Sequence, residues 1–338
     1  MLELTPENAL EYLQQRGWAP PGNGRVEPMG WGVSNVVLRV RTAGHDLVVK
    51  QSRPQLRTRD AWFSDIRRVY REQEVMQLLR PLLPDLCVPE VLFADRDNFA
   101  FVMSHAPAEA RVWKEMLLAG QVDRALARST GQVLGLIHDR TAIDGSGVAA
   151  FADHQVFVQL RVEPFYERIR QRRPEVALAV APLIERLLSE KIALCHGDYS
   201  PKNILVHDQG FTLVDYETAH FGDPTMDLGF FLSHLILKSL KHRPRRREYF
   251  DLTRAFWQGY EAQVQFRPLG ELQKHAVGHF AVCALARIDG TSPVDYLLEE
   301  PKREAVRRLA RQVLFDRPSA WEDVLGICEE EFSKEASG

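Results

Sequence analysis

A chain of 338 residues is long enough to bury two cores, and 45% hydrophobic with 26% charged residues excludes a disordered or fibrous polymer. A formal net charge of -3 removes any bulk electrostatic attraction to nucleic acid or an anionic membrane, so neither is expected as a partner. No apolar run approaches a membrane span of about 20 residues, the start Met1-Leu2-Glu3-Leu4-Thr5-Pro6 lacks the form of a signal peptide, and four scattered cysteines without a Cys-x-x-Cys pair exclude a zinc ribbon and suit a reducing cytoplasm.

Thr5-Pro6-Glu7 starts a helix, with a capping Thr, Pro at the first helical position and an acid in the first turn; Ala9, Leu10 and Leu13 share one face and Gly17 stops it. β-branched runs predict strands over 25–29, 36–41 and 46–51, the last two joined by a hairpin connection at 42–45. Between the first two lies the turn Gly30-Trp31-Gly32-Val33-Ser34-Asn35. Ile66, Val69, Val75, Met76 and Leu79 recur at helical spacing and predict a helix over 62–79. Two more strands, 91–94 and 99–103, flank the turn Asp95-Arg96-Asp97-Asn98. Beyond Met103 helical patterns dominate, over 122–139, 155–172, 174–189, 227–240, 248–263, 269–288 and 304–314. A β-rich front and a helical back predict an α+β chain of two lobes rather than a βαβ repeat: an N-lobe over 1–103, a hinge over 104–107 and a helical C-lobe over 108–338. The basic run Lys241 to Arg247 reads as a solvated loop or a polyanion contact, and the acidic total charge favours the loop.

The chemistry concentrates between Cys195 and Asp227. Asp198 and Asn203 stand five positions apart before the apolar run Ile204-Leu205-Val206, and Asp215 follows a second apolar run. A hydroxyl attacking phosphorus needs an acceptor that orients it and takes its proton late, the part that Asp198 can play. Asn203 offers a neutral oxygen to magnesium, and Asp215 would bridge metal to nucleotide phosphates. In the turn before the second strand, Gly30 and Gly32 let backbone approach phosphate, and Ser34 adds a hydroxyl. Lys50, at the end of a buried-looking strand, wants an anion. His138 reads as a cap or core residue, Lys202 stays unassigned, and Tyr216 and Glu217 could reach metal or phosphate through water.

His196-Gly197-Asp198 with Asn203, Val214-Asp215-Tyr216-Glu217, Gly222-Asp223-Pro224 and Asp227-Leu228 together resemble the aminoglycoside phosphotransferase/choline kinase family. The resemblance implies a bilobal protein-kinase-like fold and phosphorylation of a small-molecule hydroxyl by ATP and magnesium. It makes Asp198 the catalytic base and Asn203 and Asp215 the metal ligands. Lys50 would bind the α/β-phosphates and pair with a helix glutamate, which Glu72 fits best with Glu74 the alternative, and backbone groups at Ser104 and Ala106 would meet adenine. His196 would brace the catalytic loop and Asp227 would tie it down. Protein kinases have Arg at the position of Gly197, Lys two residues after the Asp and Asp-Phe-Gly at 215–217, so a protein substrate is not expected. The stretch 48–57, with Trp62, Arg68 and the N-terminal Leu4-Thr5-Pro6-Glu7, is similar to 5-methylthioribose kinases. Those typically lack the Asn and have Asp-Pro-Glu, which implies a cousin acting on another sugar or amino alcohol. Phe256, Trp257 and Tyr260 could wall an acceptor, as in the aromatic cage of choline kinases, or belong to the core. Glu329-Glu330-Glu331 could attract an aminoglycoside or form a solvated terminus. The alternative to an enzyme is an inactive nucleotide-binding pseudokinase serving as a regulatory module.

Overall fold

The apolar alternation of the front strands gives a sheet with both faces covered. In the computed structural model, which describes residues 1–30, 35–55, 63–143 and 147–334, the chain divides into two compact units. One comprises Met1–Ala110 and Leu205–Thr218, the other Arg111–Ile204 and Ala219–Gly338. The first opens with helix α1 (Ala9–Gln15), β1 (Arg25–Pro28), β2 (Asn35–Thr42) and β3 (His45–Ser52), then helix α2 (Arg68–Leu79), β4 (Val91–Asp95) and β5 (Ala100–Ser104). The five strands form an antiparallel sheet in the order β1-β2-β3-β5-β4. Side chains alternate across a strand. Val36, Leu38, Val40, Leu47, Val49, Ala100 and Val102 therefore pack with Leu4, Ala9, Tyr12 and Leu13 as one core. The opposite faces of β3 and β5 pack against α2 and include Lys50. Gly17, at φ +71°, ends α1, and Trp18 N–H returns to Leu13 O at 2.8 Å.

The predicted helix over 62–79 begins only at Arg68. Asp65 Oδ1 accepts the N–H of Arg67 at 2.9 Å, a side-chain turn that occupies the backbone just before the helix. Residues 56–62 lie outside the described ones.

The second unit carries β6 (Arg111–Val112), α3 (Trp113–Leu118) and α4 (Arg124–Ile143). Next come α5 (Gln155–Phe157), a π-helical stretch (Val158–Glu167) and α6 (Arg168–Arg172), followed by α7 (Ala177–Ser189) and β7 (Ala193–Cys195). Its Pro164 has no N–H to give a helical ladder. The hairpin β8 (Ile204–His207) and β9 (Gly210–Leu213) returns to the first unit, where Leu213 N–H meets Cys87 O at 2.8 Å. Then follow β10 (His220–Gly222), α8 (Thr225–Lys241), α9 (Arg246–Glu261), α10 (Leu269–Asp289), α11 (Glu300–Asp316) and α12 (Trp321–Lys334). The core of this unit is built by α4 on α9 and α8 on α10. No helix among the described residues is long and apolar enough to cross a membrane.

Two surface readings change. Glu329 pairs with Arg246 at 3.0 Å and Arg247 at 3.2 Å, and Glu331 with Arg308 at 2.8 Å. The acidic tail is thus part of a docked helix rather than a frayed end, and three of its partners' charges are already answered. Arg245, in the same basic run, pairs with Glu248 at 2.6 Å.

Candidate active site

In the first unit, the sheet and α2 bring Lys50 and Glu72 together. Lys50 Nζ lies 2.8 Å from Glu72 Oε1 and 2.7 Å from Asp215 Oδ1. Glu74 is on the exposed side of α2 and pairs with Arg96 at 3.4 Å. Asp215 follows β9 with φ +72°, a left-handed conformation that Asp tolerates better than most residues. Burial by itself would depress the Lys50 ammonium, but Asp215, Glu72 and Glu217 raise it well above its ordinary value and keep it charged. Burial pushes Glu72 up to about 7, against the pull of Lys50. Glu72 Oε1 also accepts the N–H of Tyr216 at 3.2 Å, tying α2 to the segment after Asp215.

Beside this pair sits a second buried one. Arg68 Nε meets Glu217 Oε2 at 2.9 Å, and Asn35 Nδ2 reaches the same oxygen at 2.8 Å. Glu217 is therefore held by protein groups as well as lying two residues from Asp215. Lys50 thus lies between Glu72 and Asp215, and Arg68 holds Glu217.

In the second unit, β7 leads into the catalytic loop. Asp227, at the head of α8, accepts the N–H of His196 at 2.6 Å and of Gly197 at 2.8 Å. His138 Nε2 lies 3.4 Å from the same carboxylate, and its Nδ1 lies 3.0 Å from Tyr260 Oη, so His138 is a core residue supporting the loop. Burial opposes ionisation of Asp227, yet His138 and the loop N–H groups hold its carboxyl below the usual range. Gly197 has φ +74°, and His196 Nδ1 accepts the N–H of Asp198 at 3.2 Å.

Asp198 is gripped on both oxygens. Arg161 Nη2 is 2.7 Å from Oδ1, Lys202 Nζ is 2.8 Å from Oδ2, and Asn203 Nδ2 is 3.0 Å from Oδ2. Asn203 Nδ2 also donates to Asp198 O at 2.9 Å. With both its N–H directions spent on Asp198, the Asn203 amide presents its oxygen, the chemistry a hard cation takes. Among the described residues no three His, Cys, Asp or Glu side chains could cage a metal. Magnesium commonly takes one or two protein oxygens and completes its octahedron with water and phosphate, and Asn203 in this unit and Asp215 in the first each carry an oxygen of that kind.

Of the remaining predicted groups, Gly30 is exposed, and a Cβ there would meet nothing within 4 Å. Gly32 and Ser34 lie outside the described residues, as does Trp62. Ser104 N–H is already donated to Glu90 O at 2.8 Å. Ala106 N–H makes no backbone hydrogen bond among the described residues, which leaves it the open donor of the two. Phe256 stacks on Phe231 at 4.2 Å and Tyr260 is fully buried, so these aromatics are core rather than a cage. Trp257 packs toward Tyr260 and Trp321. Arg161 and Asn35 had no signal in the sequence. Arg161 is one arginine among many until the π-helical turn aims it at Asp198, with its Nε on Gly197 O at 2.6 Å.

A profile of the phosphotransferase enzyme family matches residues 25–263. Methylthioribose kinase 2 of Oryza sativa subsp. japonica is 27% identical over 241 residues, covering 63% of this chain and 56% of that protein. The chain thus spans little more than half the length of the rice relative it matches. Methylthioribose kinase of Bacillus cereus is 22% identical over 361 residues, 91% of this chain and 90% of the relative. Macrolide 2'-phosphotransferase from Brachybacterium faecium, solved as the apoenzyme, superposes with TM-score 0.55 at 20% identity, covering 91% of this chain and 98% of that one. The α+β, bilobal kinase-like fold expected from the motifs is the fold that this likeness shows.

Proposed function

This chain belongs to the phosphotransferase enzyme family, and we propose that it is a small-molecule kinase that moves the γ-phosphate of ATP, with magnesium, onto an acceptor hydroxyl. The observation that carries the reading is the catalytic loop, where Asp198 is oriented by Arg161, Lys202 and Asn203 while Asn203 keeps its amide oxygen outward. Bound ATP and magnesium supply the phosphoryl group and neutralise its charge. Lys50, fixed by Glu72, would hold the nucleotide phosphates; Asp215 and Asn203 would hold the metal. Asp198 accepts a hydrogen bond from the acceptor hydroxyl. As the new oxygen–phosphorus bond forms, the bond from γ-phosphorus to the β,γ-bridging oxygen breaks, and its electron pair leaves with ADP. The hydroxyl proton passes to Asp198. In a loose transition state that proton is taken late.

The relatives named methylthioribose kinases support a sugar-like acceptor. Asn203 and Asp215-Tyr216-Glu217 support one other than methylthioribose. Lys50, Glu72, Asp198, Asn203 and Asp215 are all present, so nothing favours the inactive pseudokinase. Asp198→Ala should lower kcat by about 10²–10⁴-fold in an ADP-release assay with MgATP affinity by calorimetry preserved. A variant with turnover within about twofold of the parent would remove Asp198 from the reaction.

A further inference from the structure

Helix α8 is buried along its whole length from Thr225 to Leu240, as an apolar core helix should be, yet it carries Lys238 at 1% exposure. Lys238 Nζ donates to His234 O, one turn back on its own helix, at 3.0 Å, and it stands 5.3 Å over the ring of Tyr296. Among the described residues no carboxylate pairs with it, although buried ammonium groups are otherwise paired or lost.

Its surroundings compound the anomaly. Arg287, from α10, spends Nη1 on Ser292 O at 2.6 Å and leaves a buried Nε without a partner. No carboxylate pairs with it among the described residues either. Among the described residues His234 Nε2 and Tyr296 Oη are likewise buried with nothing to bond. Arg287 is close enough to feel the Asp198 carboxylate and His234 to feel Lys202, so the cluster adjoins the catalytic loop. Lys114 and Lys202 are close enough to add their charges, and the first meets only Asp295, at 3.5 Å on the surface. The Lys202 side chain is 45% exposed and that of Lys114 34%, so the group grades from the surface inward to Lys238.

The net result is a buried cluster of amine, guanidinium, imidazole and phenol groups with no carboxylate on Lys238 or Arg287 and with three polar atoms unmet among the described residues. Burial, then repulsion from Lys114 and Arg287, holds the Lys238 amine well below its ordinary value. Burial, then Lys238 and Arg287, does the same to His234. A fold keeps such a group at the expense of stability when something else answers it.

We propose that the acceptor is itself an anion: a small hydroxylated molecule whose carboxylate or phosphate is received by Lys238, Arg287 and Tyr296 while its hydroxyl lies on Asp198. This rests on the kinase reading above and narrows it. A neutral sugar would leave Lys238 unanswered, and an aminoglycoside, as a polycation, would be repelled. The nucleotide's γ-phosphate is the other source of negative charge, and the test separates the two.

Pairs that differ only in charge make the measurement: glycerate with glycerol, gluconate with sorbitol, ribose 5-phosphate with ribose, and choline and kanamycin as cations. Binding is read by calorimetry and transfer by ADP release, on the full chain with MgATP. At least one acidic member should bind about tenfold or more tightly than its neutral partner. Lys238→Met and Arg287→Met should each reduce that preference to about threefold or less, with Lys238→Arg keeping more of it. Lys238→Met should also raise the Tm of the unliganded protein, which shows that the variant folds. A preference for neutral or cationic members overturns the proposal. So does an acid preference that survives in both Met variants, or a loss in MgATP affinity equal for all acceptors. If no compound accepts phosphate and MgATP does not bind, the kinase reading fails, while the calorimetric comparison still decides the acid preference.

Discussion

Asp227 shows how one buried carboxylate sets the catalytic loop. It receives two backbone N–H groups and faces His138, and its native pKa is held below the ordinary value despite burial. An unfolded Asp titrates at about 3.9. The stability it contributes is therefore complete above about pH 4 and is lost as pH falls through its lower native value. Asp223, ion-paired with Arg186 at 2.6 Å and depressed likewise against burial, acts in the same direction. Asp227→Ala should cost about 3 kcal/mol in urea unfolding at pH 7, since two N–H groups lose a charged acceptor. It should also flatten the fall of stability between about pH 4 and pH 2. An unchanged acid limb would mean that Asp227 is not the titrating support. The role of Asp227 was implied by the family resemblance; His138, read as a cap or core residue, proves to be the core support of Asp227.

At the scale of elements, the helical unit is held by close backbone approach. A Cβ on Gly131 would sit 2.0 Å from Phe256 O, and one on Gly259 2.0 Å from Arg128 O, so α4 and α9 touch main chain to main chain. Gly326 on α12 has open space instead. Gly259→Ala should destabilise by about 1–3 kcal/mol or more, whereas Gly326→Ala should stabilise by about 0.5–1 kcal/mol. Thermal unfolding of the two variants side by side checks both signs, and an equal response would dismiss the close-approach account. The five front strands and seven back helices were legible from periodicity. The docked helix α12 was not, because its ion pairs to Arg246, Arg247 and Arg308 reach across chain segments that local pattern cannot join.

Across the whole molecule, folding stability should follow nucleotide through mass action. Free MgATP at about 100 times its Kd adds about 2.7 kcal/mol to the unfolding free energy. Asp215→Asn should lose most of that Tm rise, and an undiminished rise would take Asp215 out of nucleotide binding. The family that His196-Gly197-Asp198, Asn203 and Asp215 resemble is the family whose profile matches. That much the sequence determined by itself, because phosphoryl transfer needs a few polar residues in fixed order between apolar runs, and order survives in one dimension. The partner of Lys50 was left between Glu72 and Glu74, and only the packing of α2 on β3 separated them. Arg161 on Asp198, Arg68 on Glu217 and the burial of Lys238 and of Arg287 Nε with no carboxylate partner among the described residues belong wholly to the tertiary structure. A lysine on a helix is read as solvated until the fold buries it, since its chemistry depends on the neighbours that replace water. For that reason the family was visible in the chain, while the burial of Lys238 and Arg287 emerged only from the folded protein.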